Sequence, residues 1–149
     1  MTTGLVAITG ATGGVGSLAT AIFSRAGFDV HAISGKADQR TYLEALGAKE
    51  VLGRDVLQMA RPLESARFGG ALDNVGGPML ASLLAQTAPY GNVATAGLAA
   101  TAELPTTVMP FIIRGVSLLG VASAGTARDI REQVWAHLAR DWKPANLEA

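Results

Sequence analysis

Short apolar runs alternate with longer segments of helical period along this chain of 149 residues. The runs are rich in Val, Ile, Leu and Ala, and turn-forming residues such as Gly, Asn and Asp stand beside most of them. This pattern is typical of strands bounded by turns. We predict six strands, over residues 5–9, 29–34, 50–52, 71–74, 92–96 and 116–121.

The segments between these strands predict helices. After the first strand, apolar side chains recur at helical spacing up to Gly27, and this stripe consists of Val15, Leu18, Ala19, Ile22 and Phe23. Further helices are predicted over 38–46, 78–88 and 126–142, the last with an apolar stripe of its own. A short or broken helix is predicted over 57–68, where Pro62 interrupts the pattern.

Strands that alternate with helices are typical of parallel β-α units, with helices on both faces of the sheet. Crossovers between parallel strands are right-handed almost without exception, which restricts how two sets of three strands can be arranged. The sequence therefore predicts an α/β protein with a doubly wound parallel six-stranded sheet, the Rossmann fold, in the order 3-2-1-4-5-6. Such a sheet binds its ligand at the carboxyl ends of the strands, where the strand order reverses.

A glycine-rich segment, Thr9-Gly10-Ala11-Thr12-Gly13-Gly14-Val15-Gly16, joins the first strand to the first helix. Glycines allow a tight turn and let a phosphate come close to the backbone. The N–H groups at the start of the following helix attract an anion. The segment therefore predicts a site for the pyrophosphate of a dinucleotide, with Thr12, Gly13, Gly14 and Val15 as its candidate residues.

The end of the second strand indicates which dinucleotide is bound. An NAD site usually has an acidic residue there for the ribose 2′-hydroxyl. This chain instead has Ser34, Gly35 and Lys36, with Arg40 in the first turn of the next helix. A hydroxyl, an N–H group and two cations attract a 2′-phosphate, so these residues favour NADP(H) over NAD(H). The alternative is that Ser34-Gly35-Lys36 is only a polar turn after the strand.

Two further loops follow strands at the same predicted edge of the sheet. Asn74 and Val75 follow the fourth strand, and Gly97 and Leu98 follow the fifth. In a doubly wound fold such loops pass over the ribose and nicotinamide of the cofactor, so we predict that these four residues contact it. Ordinary glycine turns would show the same pattern.

Composition excludes several other functions. Twelve Lys and Arg residues balance twelve Asp and Glu residues, so the chain has no basic field for nucleic acid. There is no cysteine, and His31 and His137 have no second ligand at metal-site spacing, so we predict neither a thiolate nucleophile nor a metal site. No apolar run approaches the length of a membrane span and no signal peptide is recognisable, so we expect a cytoplasmic protein.

No side chain is an obvious catalytic acid. His31 in the second strand, His137 on the last helix, Tyr42 and Tyr90 are all predicted to be structural or surface residues. The glycine turn also matches the short-chain dehydrogenases, which require a Tyr-x-x-x-Lys pair. Neither tyrosine has a lysine four residues further on. We therefore predict no catalytic residue in this chain.

The glycine turn, the Ser34-Gly35-Lys36 tip and the Asp73-Asn74-Val75-Gly76 loop together resemble the medium-chain reductase superfamily. The segment 104–112, Leu-Pro-Thr-Thr-Val-Met-Pro-Phe-Ile, resembles the acrylyl-CoA reductase (NADPH) branch of the quinone oxidoreductase-like proteins. The resemblance covers nearly the whole chain. The chain departs from the family pattern at Lys36, where arginine is common, and at Ala122, where an acidic residue is usual.

The resemblance implies that residues 1–149 are the NADP(H)-binding domain of a longer two-domain reductase, whose barrel-like domain supplies the other wall of the substrate pocket. It implies zinc-independent hydride transfer from NADPH to an enoyl substrate, such as an acrylyl thioester or a quinone-like enone. It also implies a homodimer joined through the edge of the sixth strand, unless the last helix or a further segment covers that edge. The alternative function is a stand-alone NADP(H) sensor. An S-adenosylmethionine methyltransferase is disfavoured because Ser34 stands where an acid is usual.

Overall fold

The computed structural model describes residues 4–145 and residue 147. It contains a six-stranded sheet in which every neighbouring pair of strands is parallel. The strands are β1 Leu5–Thr9, β2 Asp29–Ile33, β3 Glu50–Leu52, β4 Phe68–Asp73, β5 Thr87–Thr95 and β6 Ser117–Gly120. Their order is β3-β2-β1-β4-β5-β6, so the predicted doubly wound α/β architecture is confirmed.

Five α-helices lie within the described residues: α1 Gly14–Arg25, α2 Arg40–Ala45, α3 Gly77–Gln86, α4 Met109–Arg114 and α5 Arg128–Leu138. Short 3-10 turns lie at Ala37–Gln39, Arg54–Leu57 and Ser123–Gly125. None of the helices in this part of the chain is both long and apolar enough to cross a bilayer.

Each face of the sheet has its own core, because alternate residues of a strand point to opposite faces. Ala7 in β1 belongs to a cluster with Phe68 and Leu83 on one face. Its neighbour Ile8 belongs to a cluster with Leu43 on the other face. All five side chains are fully buried. The central strands β1 and β4 are therefore packed on both sides. Their carboxyl ends belong to the edge of the sheet at which a ligand is expected.

Helix α1 buries only part of its predicted apolar stripe, since Ala19 is buried and Phe23 packs against the core. Val15 and Leu18 are 58% and 50% exposed, whereas Gly16 and Ala19 are buried. The reason is a close approach at Gly16, where a β-carbon would lie 2.2 Å from the carbonyl oxygen of Gly10. Small residues therefore face the sheet, and two aliphatic members of the predicted stripe lie on the surface.

The prediction of a short or broken helix over 57–68 is wrong. After the 3-10 turn that ends at Leu57, the chain runs as an irregular loop to the start of β4. The Glu64 carboxylate accepts hydrogen bonds from the Ala60 and Arg61 amides at 3.0 Å each. The Ala60 amide, together with the guanidinium and the amide of Arg61, lowers the pKa of Glu64. These local hydrogen bonds hold a turn in place of a helix.

Two features of the second half were not predicted. Helix α4 has too few residues to show a periodic pattern, although Pro110 near its start and left-handed Gly115 after its end are the usual signals. Strand β5 begins at Thr87, well before residue 92, and continues through Tyr90, which has a positive φ of 62°. Residues 89–91, which lay between the predicted helix and the predicted strand, are an irregular stretch of this longer strand.

The apolar stripe on the last helix is not buried. Every residue of α5 is exposed or half-buried, including Ile130, Val134 and Leu138. Trp142, the last member of the stripe, stacks on His137 with ring centroids 4.4 Å apart. The amphipathic period correctly indicated a helix, but within the described residues this helix packs on no core.

Candidate functional site

The glycine turn after β1 forms a tight backbone loop. Gly10 has a φ of 58°, which favours glycine, and the Gly13 amide donates a hydrogen bond to the Gly10 carbonyl at 2.9 Å. Gly16 lies against the same carbonyl oxygen, where there is no room for a side chain. The turn therefore holds the start of α1 over the carboxyl end of β1.

The N-terminus of α1 is open. Gly13 is its N-cap residue, and no side chain caps the helix. The first N–H groups of a helix have no partner within the helix. A β-carbon at Gly14 would have no heavy atom within 4 Å, apart from its neighbours in the chain and the helix backbone. The first N–H groups of α1 therefore face free space, which is an arrangement that attracts an anion. The residues around them are Thr12, Gly13, Gly14 and Val15.

A concavity of about 250 Å³ lies at the carboxyl end of β2. Its polar lining consists of Ser34, Lys36, Arg40 and Arg54, with no carboxylate. Arg54 lies directly over Gly35, because a β-carbon at Gly35 would lie 2.7 Å from the Arg54 Nε. Three cations and a hydroxyl around one small space suit a phosphate ester.

Two of the predicted phosphate residues are already engaged within the protein. The Ser34 hydroxyl accepts a hydrogen bond from the Lys36 amide at 3.1 Å, so it also shapes the turn. The Arg40 guanidinium donates to the Val51 carbonyl at 2.8 Å and lies 3.4 Å from the Glu44 carboxylate. Arg40 therefore lines the concavity but is held against β3, whereas Lys36 forms no ion pair with a described residue.

Arg54 is the residue that the sequence analysis missed. It lies in the 3-10 turn after β3, and it reaches Gly35 because β2 and β3 are neighbours in the sheet. It forms no ion pair with any residue in the described part of the chain. The predicted strand order already placed the end of the third strand beside the end of the second. An arginine just after the third strand was therefore an available signal.

The loops after β1 and β4 are joined by a buried hydrogen-bond network. Thr9 Oγ1 donates to Asp73 Oδ1 at 2.7 Å, and both side chains are fully buried. Asn74 donates twice to Thr9, from its amide to Oγ1 at 3.0 Å and from Nδ2 to the carbonyl at 2.9 Å. The Gly76 amide donates to Asp73 Oδ2 at 2.7 Å. This network places Asn74 and Val75 beside the glycine turn.

The loop after β5 meets the same edge. A β-carbon at Gly97 would lie 2.5 Å from the carbonyl oxygen of Asn74, so the two loops touch backbone to backbone. Leu98 is exposed beside them. The predicted site residues after β1, β2, β4 and β5 thus lie along one edge of the sheet. Their contact with a cofactor stays a prediction.

His31, Tyr42 and Tyr90, which were predicted to be structural, lie in three different surroundings. His31 is in the middle of β2, 3.7 Å from the Glu50 carboxylate and edge-on to Phe68. Burial lowers the pKa of His31, although Glu50 opposes this shift. Tyr90 is exposed on β5, and Tyr42 lines a separate concavity of about 420 Å³ beside α1 and α2. Across the residues with described positions, no cluster of His, Asp and Glu could hold a metal ion.

Known proteins are similar to this chain over nearly its whole length. The family model of zinc-binding dehydrogenases matches residues 14–140. The acrylyl-CoA reductase AcuI of Ruegeria pomeroyi is 45% identical over 148 residues, which are 98% of this chain and 45% of that protein. The crystal structure of Bacillus subtilis yhfP with NAD bound has a TM-score of 0.92 and 44% identity, and the match covers 95% of this chain and 44% of that one. For Escherichia coli K-12 yhdH with bound NADPH, the TM-score is 0.90 at 47% identity, over 93% and 43% of the two chains.

The chain spans less than half the length of the curated relatives that it matches. Within that half the agreement in fold is close, with TM-scores of 0.92 and 0.90 over more than nine-tenths of this chain.

Proposed function

Since the chain belongs to the zinc-binding dehydrogenase family, as its resemblance to the medium-chain reductases predicted, we propose that residues 1–149 are the NADP(H)-binding domain of a longer two-domain reductase. In the whole protein, hydride passes from NADPH to an activated carbon–carbon double bond, in an acrylyl thioester or a quinone-like enone. The reaction class is supported by similarity to an acrylyl-CoA reductase and to a putative quinone oxidoreductase of Bacillus subtilis.

The proposal is carried by one observation: an open glycine turn and a cation-lined concavity lie at the same edge of the sheet. The turn offers unpaired N–H groups to a pyrophosphate. Lys36 and Arg54, at the ends of neighbouring strands, offer charge to a 2′-phosphate. One solved relative has NAD bound and another has NADPH. The choice of NADP(H) for this chain therefore rests on these side chains.

The chain binds and orients the cofactor, and NADPH when bound supplies the hydride. The pyrophosphate is held by backbone groups of the glycine turn, at Thr12, Gly13, Gly14 and Val15. The 2′-phosphate is held at the end of β2, by Ser34, Gly35, Lys36, Arg40 and Arg54. The ribose and nicotinamide lie against the loops after β4 and β5, at Asn74, Val75, Gly97 and Leu98.

Calorimetry of the chain with NADPH, NADH and S-adenosylmethionine tests the choice of ligand. We expect NADPH to bind most tightly and NADH to bind at least about tenfold more weakly, because NADH lacks the 2′-phosphate and its charge-assisted hydrogen bonds. S-adenosylmethionine has no pyrophosphate for the glycine turn and is expected not to bind. Tighter binding of NADH or of S-adenosylmethionine would contradict the proposal.

We also propose that the whole protein needs no zinc, since a thioester or quinone carbonyl already activates the double bond. The substrate pocket needs a wall that this chain does not supply. The chain alone is therefore expected to bind NADPH without oxidising it in the presence of acryloyl-CoA. In the whole protein, loss of activity after zinc chelation would contradict the zinc-independent reaction.

We further propose a homodimer joined along β6. This strand is the last in the sheet, and within the described residues no strand pairs with its outer edge. Leu119 and Val121 at this edge are 47% and 48% exposed. An apolar strand edge with free backbone groups is a template for pairing with a second chain.

Sedimentation velocity tests the dimer. The wild-type chain is expected to sediment as a dimer, and Leu119→Lys as a monomer, because a charge on an edge strand opposes strand pairing. Val134→Lys, the same change at an exposed residue of α5, is the control and is expected to leave the dimer intact. A monomeric wild-type chain at micromolar concentration would rule out this interface.

A further inference from the structure

We propose that the buried pair Thr9–Asp73 is a positioning device for the nicotinamide half of the cofactor site. This inference rests on the proposed binding of NADP(H). Thr9 ends β1 and Asp73 ends β4, the two neighbouring strands at which the strand order reverses. Both side chains are fully buried. Because they are fully buried, neither side chain can reach a ligand at the surface, so each acts through the loop that follows it.

Asp73 connects three loops. Its Oδ1 accepts a hydrogen bond from the Thr9 hydroxyl, and its Oδ2 accepts one from the Gly76 amide, both at 2.7 Å. Its carbonyl oxygen accepts a hydrogen bond from the Ala96 amide at 2.8 Å. The first bond leads to the glycine turn, the second fixes the turn into α3, and the third holds the loop after β5. One residue therefore sets the relative positions of three loops.

The buried carboxylate of Asp73 restricts the positions that these three loops can take. No ion pair between Asp73 and a Lys, Arg or His is found within the described residues. A buried carboxylate needs hydrogen bonds in place of its lost hydration. Here Thr9 and Gly76 provide them, close to the N-terminus of α3, whose dipole favours a negative charge. A shift of the loop after β4 would leave a buried carboxylate oxygen unpaired, so this loop has one favourable position.

The loop after β4 is thereby held against the glycine turn. A β-carbon at Gly10 would lie 3.4 Å from Asn74 Cβ and 3.5 Å from Val75 Cγ2. The Asn74 Nδ2 group adds its own hydrogen bond to the Thr9 carbonyl. The concavity at the end of β2 lies beside β3 and shares no residue with this network. Loss of the network should therefore affect the nicotinamide half of the ligand and spare the adenosine half.

Thr9→Val tests this asymmetry. Valine keeps the shape of threonine, but it leaves Asp73 Oδ1 without its donor and the Asn74 amide without its acceptor. Calorimetry is done with NADPH and with 2′,5′-ADP, which carries only the adenosine half. NADPH affinity is expected to fall about tenfold or more, while 2′,5′-ADP affinity stays within about twofold. Thr9→Ser keeps the hydroxyl and is expected to restore NADPH affinity to within about threefold of the wild type.

Thr87→Val is the matched control. Thr87 is also fully buried, and its Oγ1 donates to the Leu83 carbonyl at 2.7 Å. It begins β5, at the opposite end of that strand from the candidate site. Its replacement is expected to lower the melting temperature as Thr9→Val does, but to leave both affinities unchanged. A selective loss of NADPH affinity in Thr9→Val alone then reports positioning and not general destabilisation.

Asp73→Asn gives a second route if Thr9→Val does not fold. The amide has the same shape but presents one acceptor oxygen, so it cannot accept from both Thr9 and Gly76. The same selective loss of NADPH affinity is expected. Equal weakening of NADPH and 2′,5′-ADP, or unchanged NADPH binding, would overturn the positioning role. A wild-type chain that binds neither nucleotide would overturn the proposed function, and this inference with it.

Discussion

Gly16→Ala is expected to lower the free energy of unfolding by about 1–3 kcal/mol and to abolish measurable NADPH binding. An added β-carbon would lie 2.2 Å from the Gly10 carbonyl oxygen and 2.8 Å from the α-carbon of Ala11. Both are backbone atoms, so no side-chain rotation relieves the clash. The start of α1 must move away from β1, and the glycine turn proposed to bind the pyrophosphate moves with it. Urea unfolding and calorimetry with NADPH measure the two effects.

Gly14→Ala is the control in the same helix. No heavy atom outside the local chain lies within 4 Å of a β-carbon at Gly14. Alanine favours a helix over glycine by about 0.5–1 kcal/mol, so this variant is expected to be at least as stable as the wild type. If Gly16→Ala were as stable as Gly14→Ala, the close approach of α1 to the turn would not be required.

The double charge reversal Lys36→Glu with Arg54→Glu is expected to invert the nucleotide preference. Each cation offers a charge-assisted hydrogen bond to the 2′-phosphate, and each replacement carboxylate repels that phosphate. NADPH affinity is expected to fall about tenfold for each single variant and about a hundredfold or more for the double variant. NADH affinity is expected to change by less than about threefold, because NADH has a hydroxyl at that position. Calorimetry with both nucleotides measures the ratio.

Lys49→Glu controls for the change in net charge. Lys49 precedes β3, and its Nζ lies 2.6 Å from the Asp29 carboxylate at the start of β2, so it is at the opposite end of these strands. This variant is expected to keep the wild-type preference for NADPH. Equal losses of NADPH and NADH affinity in the Lys36 and Arg54 variants would show that these residues are not at the 2′-phosphate.

The strand order and the tight glycine turn were predictable because their signals are local. The apolar run 5–9 and the glycines that follow it lie within a few residues of each other, and a right-handed crossover leaves few topologies for six strands. The same local pattern places Ser34, Gly35 and Lys36 directly after β2. These residues lie on loops that a parallel sheet must bring to its carboxyl edge.

The burial of individual faces was less predictable. Hydrophobic period placed Val15 and Leu18 towards the core with Ala19, but only Ala19 is buried, because Gly16 and other small residues take the close approach to the turn. The stripe on α5 likewise indicated a helix but not what the helix packs against. Segment 57–68 folded as a loop because Glu64 binds backbone amides three and four residues before it.

By itself, the sequence determined the architecture and the edge of the sheet on which the candidate site residues lie, because strand period, turn chemistry and crossover handedness act over short distances. Only the tertiary structure decided which side chains share that edge. Arg54 joins Gly35 across two neighbouring strands. Asp73 joins Thr9 although the two are 64 residues apart in the chain. Such contacts depend on the register between strands and on the direction of each side chain, and neither is encoded in the local pattern of apolar and polar residues.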